Sequence, residues 1–397
     1  MGTHPSGPSV LAADPTTTLA AWLSTHAAAV GAPTASAFGP GALPFLFKVL
    51  SVHTALSIQS HPDKELAGRL HAEKPALYPD ANHKPEMAIA VGPSFSAMAG
   101  FAPVAAIAAR LAAAPEVVGV VGEARVAALR TAAAAGTDGD ASVRNALRGA
   151  FTALMTADEG EVGAAVDALA ARLDAEGGAA TLAAPDALAQ TLAAQYPRDV
   201  GVLASYFLNY VKLADGEALA LGANVPHAYV SGNLVECMAA SDNVIRAGLT
   251  PKPRDTDALC ASLTYASGPP PSVERTPLQR HVSRYDPGFA EFEVLQINLP
   301  AAADTLLPPL AGPALLLVSS GAGTLAAPDS PLGPDPALDP ARDAARGDVL
   351  LLPAGTPLRA AAGGGGLVVW VATVNAATVG GDAALYPPAA APAVVAA

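Results

Sequence analysis

Two stretches of this chain carry residues able to hold a divalent cation. In Leu56-Ser57-Ile58-Gln59-Ser60-His61-Pro62-Asp63-Lys64, strand alternation puts Ser57, Gln59 and His61 on one face and apolar Leu56 and Ile58 on the other. A second strand pattern starts within His83-Lys84-Pro85-Glu86-Met87-Ala88-Ile89-Ala90-Val91. There Glu86 opens an otherwise apolar run, so its carboxylate faces either solvent or a group that needs it. Pro226-His227-Ala228-Tyr229-Val230 adds an imidazole. Gln59, His61, Glu86 and His227 together offer two imidazoles, a carboxylate and an amide oxygen, a set suited to Zn²⁺ if the coordination expands to admit water or a substrate oxygen. His61, His227 and Glu86 alone also describe the Fe²⁺ site of an oxygenase. Lys48, Lys84 and Arg246 are the cations near these stretches; taken singly, each reads equally well as a solvated surface charge. His26, His53, His71 and His281 read as ordinary core or surface histidines.

The elements that must position these groups change character along the chain. Residues 1–101 hold most of the histidines among short runs punctuated by Gly and Pro, which predicts strands and functional loops. From about Ala102 the composition turns to Ala-rich helix. Val143, Leu147, Phe151 and Leu154 form one apolar stripe, and Val162, Val166, Leu169 and Leu173 another, so a helical scaffold is expected as an insert. Strand-like sequence returns at 201–250, with Ser241-Asp242-Asn243 as a second polar cluster. Beyond the linker Ser267-Gly268-Pro269-Pro270-Pro271, strands are expected at 289–299, 314–318, 348–352 and 367–374, with 328–342 as a long hairpin loop. This gives a catalytic domain of 1–101 and 201–262, a helical insert of 102–200, and a C-terminal sandwich or jelly roll of 263–397. Gly347-Asp348-Val349-Leu350-Leu351-Leu352-Pro353-Ala354-Gly355 resembles the second cupin motif with no histidine following. Gly216-Glu217-Ala218-Leu219 through Pro226-His227 has the same rhythm with a histidine in place. A metal is therefore expected in one barrel and not in the other.

Composition narrows the function classes. A net charge of −13 over 397 residues argues against nucleic-acid or anionic-membrane partners, which reward basic patches. The mean hydropathy of +0.35 comes largely from alanine. Arg110, Glu123, Arg130 and Arg172 interrupt every run that approaches the roughly 20 apolar residues of a bilayer span. Two cysteines, Cys237 and Cys260, make no disulfide framework and suggest a reducing compartment, with the cytoplasm as the default.

Longer strings then bring these residues together. Pro44-Phe45-Leu46-Phe47-Lys48-Val49-Leu50-Ser51, the stretch from Leu56 to Lys64, Tyr78-Pro79-Asp80-Ala81-Asn82-His83-Lys84-Pro85-Glu86-Met87-Ala88, and Pro226-His227-Ala228-Tyr229 on to Pro251-Lys252 occur in this order. They resemble the signatures of the type I mannose-6-phosphate isomerases. The resemblance implies a mainly β cupin (jelly-roll) double barrel with an inserted α-helical domain, binding one zinc ion per chain. It implies an aldose-ketose isomerase that interconverts mannose 6-phosphate and fructose 6-phosphate through a cis-enediol and feeds GDP-mannose synthesis. On the matching positions, the zinc ligands fall on Gln59, His61, Glu86 and His227, and the catalytic arginine on Arg246. Ser57, Lys48, Lys84 and Glu236 match pocket residues used for substrate binding or proton transfer.

That chemistry suits the residues. An enediol needs its negative charge stabilised by a metal or a fixed guanidinium, and a phosphate needs local cations in an acidic chain. Glu236 is the candidate general base, with His61 taken by the metal. A monomer acting on a small-molecule sugar phosphate is expected. Members of the family carry further strands, including a Trp-Gly segment, before the part matching Gly2-Thr3-His4-Pro5. The expectation is thus a shortened chain that lacks one wall of the pocket, and the alternatives to an isomerase are an inactive truncated cupin binding protein or an Fe-dependent cupin oxygenase.

Overall fold

The computed structural model describes residues 1–41, 43–177, 182–328, 341–377 and 379. Contacts divide the chain into two compact units. One comprises Val49–Leu234 and Ser241–Ser272; the other comprises Met1–Lys48, Val235–Ala240 and Val273–Ala397. This grouping cuts across the division read from composition, because the first 48 residues go with the C-terminal strands.

The first sheet is built from β1 (Phe45–Val52), β2 (Ile58–Ser60), β3 (Glu86–Phe101), β4 (Leu208–Leu213), β5 (Ala218–Leu221), β6 (His227–Ala239), β7 (Ile245–Gly248) and β8 (Ser272–Val273). Its order is β7-β2-β6-β3-β5-β8, with β1 on β6 and β4 on β3. The apolar run Met87 to Ala90 is buried throughout, as befits a strand covered on both faces. Between β3 and β4 lie the inserted helices. Both stripes are buried: Val143, Leu147, Phe151 and Leu154 on Ala141–Met155, and Val162, Val166, Leu169 and Leu173 on Glu159–Ala175. The second of these helices is capped by Asp158, which accepts from the amides of Gly160 and Glu161. Phe151 meets Phe101 and Phe207 edge-on at centroid distances of 5.0 and 5.5 Å. Among the described residues, no single helix is long and apolar enough to cross a membrane.

The second sheet contains β9 (Arg275–Gln279), β10 (Val282–Tyr285), β11 (Glu293–Leu299), β12 (Asp304–Leu307), β13 (Ala314–Ala326), β14 (Arg342–Ala345), β15 (Val349–Leu352) and β16 (Leu358–Thr373). Its order is β14-β13-β16-β11-β10-β9, with β12 on β16 and β15 on β13. The fold is mainly β, two antiparallel cupin sheets with a helical insertion. Leu295, Ile297, Leu316, Leu350, Val369 and Val371 belong to the apolar core of this second sheet. Two of its strands run further than their sequences suggest. The stretch 358–366 is Ala- and Gly-rich with little strand propensity, yet Ala360 pairs with Leu325 on β13 and Thr305 on β12. Ladder partners on both sides override local preference there. Of the expected hairpin loop, residues 329–340 lie outside the described residues; its flanking strands β13 and β14 pair antiparallel, Leu325 opposite Arg342.

The N-terminal stretch corrects an expectation. In place of strands and loops, residues 1–44 contain the helices Leu19–Thr25, Ala27–Val30 and Ala32–Phe38. The signals are local: the Thr18 hydroxyl accepts from Ala21 N, and Pro33 sits in the first turn of the third helix. Tertiary contacts hold them, since Ala354 N donates to Ala29 O at 2.9 Å. Gly31 permits this approach: φ is +79° and an added Cβ would lie 2.7 Å from the Ala354 Cβ.

Candidate metal centre

The site is organised around β2. Gln59 stands opposite His227 on β6 and opposite Arg246 on β7. Directly paired residues share a sheet face, so these three side chains leave the sheet together. His61 follows at the end of β2, where its carbonyl accepts from Asn224 N at 2.8 Å. Asp63 then caps the helix Lys64–Glu73, accepting from Leu66 N. Glu86 begins β3. His61 Nε2 lies 3.2 Å from Glu86 Oε1, His227 Nε2 lies 3.3 Å from Glu86 Oε2, and Lys84 Nζ reaches Oε1 at 3.0 Å. His61, Glu86, His227 and Lys84 are all buried.

The protons on the two imidazoles can be assigned by chemistry. His61 Nδ1 is 2.7 Å from Asn243 O, and His227 Nδ1 is 3.0 Å from Val225 O. A carbonyl oxygen only accepts, so each ring carries a hydrogen on Nδ1 and turns Nε2 toward Glu86. Burial, reinforced by the Lys84 ammonium, pushes His61 down to about 4, which keeps it neutral near pH 7. Burial works against the Glu86 carboxylate, but the groups around it, the Lys84 ammonium first among them, together hold it well below the usual carboxylate range. The neutral His61 lone pair and the Nε2 atom of His227 therefore face an ionised carboxylate. His61 Nε2, His227 Nε2 and Glu86 Oε2 have no hydrogen-bond partner. Acceptors converging in this way repel one another unless a cation lies among them. Their ligand atoms fall within 4.8 Å of one another, and nitrogen with carboxylate oxygen is a donor set that fits zinc. The Gln59 Oε1 accepts the Ser57 hydroxyl at 3.1 Å and keeps a second lone pair for a further bond.

The profiles of type I phosphomannose isomerases match this chain in three parts: the catalytic domain over residues 1–104, the helical insertion domain over 120–208 and the C-terminal domain over 285–330. Mannose-6-phosphate isomerase 1 of Arabidopsis thaliana is 43% identical over 363 residues, which span 90% of this chain and 80% of that protein. The chain belongs to the type I phosphomannose isomerase family. The bovine (Bos taurus) mannose-6-phosphate isomerase is 41% identical over 340 residues, 83% of this chain and 78% of its own length. Among solved structures, the zinc-bound holo form of a mannose 6-phosphate isomerase superposes with a TM-score of 0.77 at 26% identity, covering 94% of this chain and 90% of that one.

Of the nine positions the family resemblance singles out, the structure gathers His61, Glu86, His227 and Lys84 by direct contact and joins Ser57 to Gln59. Arg246 shares the face of Gln59, on a strand whose end is tightly held. Asp199 Oδ1 accepts from Gly201 N and from Leu249 N, both at 2.7 Å. Gly248 packs against Gly201 so closely that an added Cβ would lie 2.8 Å from the Gly201 amide nitrogen. Lys48 and Glu236 belong to the other unit, where they form an ion pair of 2.9 Å with each other.

Sequence reasoning gave no role to Tyr229 or Asp80, and it placed Asn243 in a polar cluster without assigning it a task. Tyr229 is two residues beyond His227 on the same strand face, with its ring 6.4 Å from that imidazole, and alternation along β6 would have flagged it. Asn243 acts on His61 through its backbone carbonyl, for which a side-chain pattern carries no signal.

Proposed function

We propose that this chain is a zinc-dependent mannose-6-phosphate isomerase, interconverting mannose 6-phosphate and fructose 6-phosphate through a cis-enediol and supplying mannose for GDP-mannose synthesis. Gln59, His61, Glu86 and His227 would hold one zinc ion per chain. The observation that carries the reading is the pair of buried imidazoles whose Nε2 atoms, without hydrogen bonds, face the buried Glu86 carboxylate. A zinc ion there would supply Lewis acidity to the reaction.

The remaining work falls to the chain itself. The carbonyls of Asn243 and Val225 keep the imidazoles in one tautomer. Arg246, on a strand end pinned by Asp199, offers a fixed guanidinium to the charge that develops on the enediol. Glu236 takes the proton from C2 of the open-chain aldose and returns it to C1, as the hydroxyl proton on O2 passes to O1, while Ser57, Lys48 and Lys84 bind the sugar phosphate. In this reading residues 1–101 and 201–262 make the catalytic cupin domain, 102–200 a helical scaffold and 263–397 a cupin-like domain without a metal site. The two free cysteines support a cytoplasmic enzyme, which we take to be a monomer.

A coupled assay of purified, zinc-loaded protein tests the proposal, with bound zinc quantified in parallel. Conversion of mannose 6-phosphate that disappears in Arg246→Ala supports it; stoichiometric zinc with no conversion rejects it.

A further inference from the structure

The hydrogen that His61 carries has two competing acceptors. Asn243 O is at 2.7 Å from Nδ1, and the Glu86 carboxylate is at 3.2 Å from Nε2. Charged acceptors are the stronger ones, so only a short, well-placed bond to Asn243 keeps the hydrogen off Nε2. Once on Nε2 it would occupy the lone pair that a metal needs. What fixes the Asn243 carbonyl therefore decides whether His61 can serve as a ligand.

That carbonyl does not sit in a sheet ladder. Asn243 lies in the loop between β6 and β7, and four of the bonds that shape this region run to the Asp80 carboxylate. Asp80 Oδ1 accepts from the Ser241 hydroxyl at 2.8 Å, the Asn243 amide nitrogen Nδ2 at 3.1 Å and Asn82 N at 2.9 Å. Asp80 Oδ2 accepts from Asp242 N at 2.9 Å. Asn243 Nδ2 also donates to the carbonyls of Asp80 at 2.7 Å and Asn82 at 2.8 Å, and Ser241 Oγ accepts from Asn243 N at 3.1 Å. Ser241 and Asn243 are fully buried, so these polar groups have no water to fall back on.

We propose that Asp80 is a positioning residue for the metal centre: its carboxylate locks the 241–243 turn, which aims the Asn243 carbonyl at His61 Nδ1 and holds His61 in the metal-binding tautomer. The inference rests on the zinc reading above and assigns a task to an acidic residue that touches no ligand atom. Asp80→Asn keeps the shape of the side chain but replaces one acceptor oxygen by a donor facing donors, so the turn loosens. The His61 hydrogen then moves toward Nε2 and Glu86.

The test reads the imidazole directly. Zinc-free protein labelled with ¹⁵N in its eight histidines reports each tautomer by its ring-nitrogen shifts, with His61→Gln assigning the resonance. Wild type is expected wholly in the Nδ1–H form, and Asp80→Asn with a substantial Nε2–H population. Zinc affinity, from competition with a chelating indicator, should fall roughly 10- to 100-fold. Ser241→Ala, a gentler loss in the same network, should move both readouts in the same direction and serves if Asp80→Asn does not fold. Asp138→Asn is the control for plain destabilisation. Its carboxylate ties Val104 N to Ser267 away from the metal ligands, and its loss should lower the melting temperature without changing the tautomer or the zinc affinity. An unchanged His61 tautomer in Asp80→Asn, or an equal loss of zinc in Asp138→Asn, overturns the proposal. Because the tautomer is read without metal, it decides this point even if wild type takes up no zinc, a result that would sink the functional reading alone.

Discussion

The stability of the C-terminal sheet should fall as pH rises, through one carboxyl group. Glu293 opens β11 and is completely buried. Arg284 Nε and Nη2 both donate to its Oε2, at 2.8 and 2.6 Å, while Oε1 has no hydrogen-bond partner. Arg284 is shared with Asp286 at 2.9 Å, so it only partly offsets desolvation. Burial consequently pushes the Glu293 carboxyl up to about 7 from its ordinary 4.5. The folded form then keeps a proton that the unfolded chain has already lost. Stability is full below pH ~4.5, declines through the interval to ~7 and is flat above it. The rise from 4.5 to about 7, at about 1.4 kcal/mol per pH unit, makes the full loss about 3.5 kcal/mol, of which about 3 falls between pH 4 and 8. Denaturant melts of wild type and Glu293→Gln from pH 4 to 8 would measure it, the variant removing the titration while leaving other groups in place. Wild type should lose about 3 kcal/mol relative to the variant across that range. A difference that stays constant, or grows in favour of wild type as pH rises, would mean that Arg284 holds Glu293 ionised throughout and that burial has been overweighted.

Other outcomes follow from particular contacts. Zinc at a thousand times its dissociation constant should stabilise the protein by about 4 kcal/mol in thermal melts, and His61→Ala should abolish the shift; stabilisation that survives would place the ion elsewhere. Gly248→Ala, which drives a Cβ into Asp199 and Gly201, should lower kcat/KM at least about tenfold with zinc content retained, since it moves the strand end beside Arg246. Unaltered kinetics would show that β7 tolerates the shift. Glu236→Gln should cut turnover strongly and leave zinc bound, and a near-normal rate would remove it from proton transfer. Phe151→Ala should cost about 3–5 kcal/mol because the ring is buried against Phe101 and Phe207; a loss below about 1 kcal/mol would contradict that packing.

Much of this was legible along the chain, and the reason is local periodicity. The stripe Val143, Leu147, Phe151 and Leu154 needs only the pitch of a helix to be read as buried, and Ser57 with Gln59 needs only strand alternation to share a face. A divalent-cation site could be suspected from residue type, since two imidazoles and a carboxylate admit few uses together, but that set fits Fe²⁺ as well as Zn²⁺. The family signatures then said which histidines mattered, where spacing could not separate His61 and His227 from His26 or His71.

Other features depended on residues distant in sequence. The helices between Leu19 and Phe38 were missed because short Ala- and Pro-containing runs are ambiguous until a partner such as Ala354 orders them. The Ala- and Gly-rich start of β16 became a strand only because β12 and β13 supply ladders on both sides. At the metal centre, the family signatures named the donors, but folding chose which nitrogen of each imidazole faces inward. That choice is made by the carbonyls of Asn243 and Val225, and a backbone oxygen looks the same at every position until tertiary structure aims it. Residue chemistry along the chain thus set what the site can bind, and long-range hydrogen bonding set its protonation and geometry.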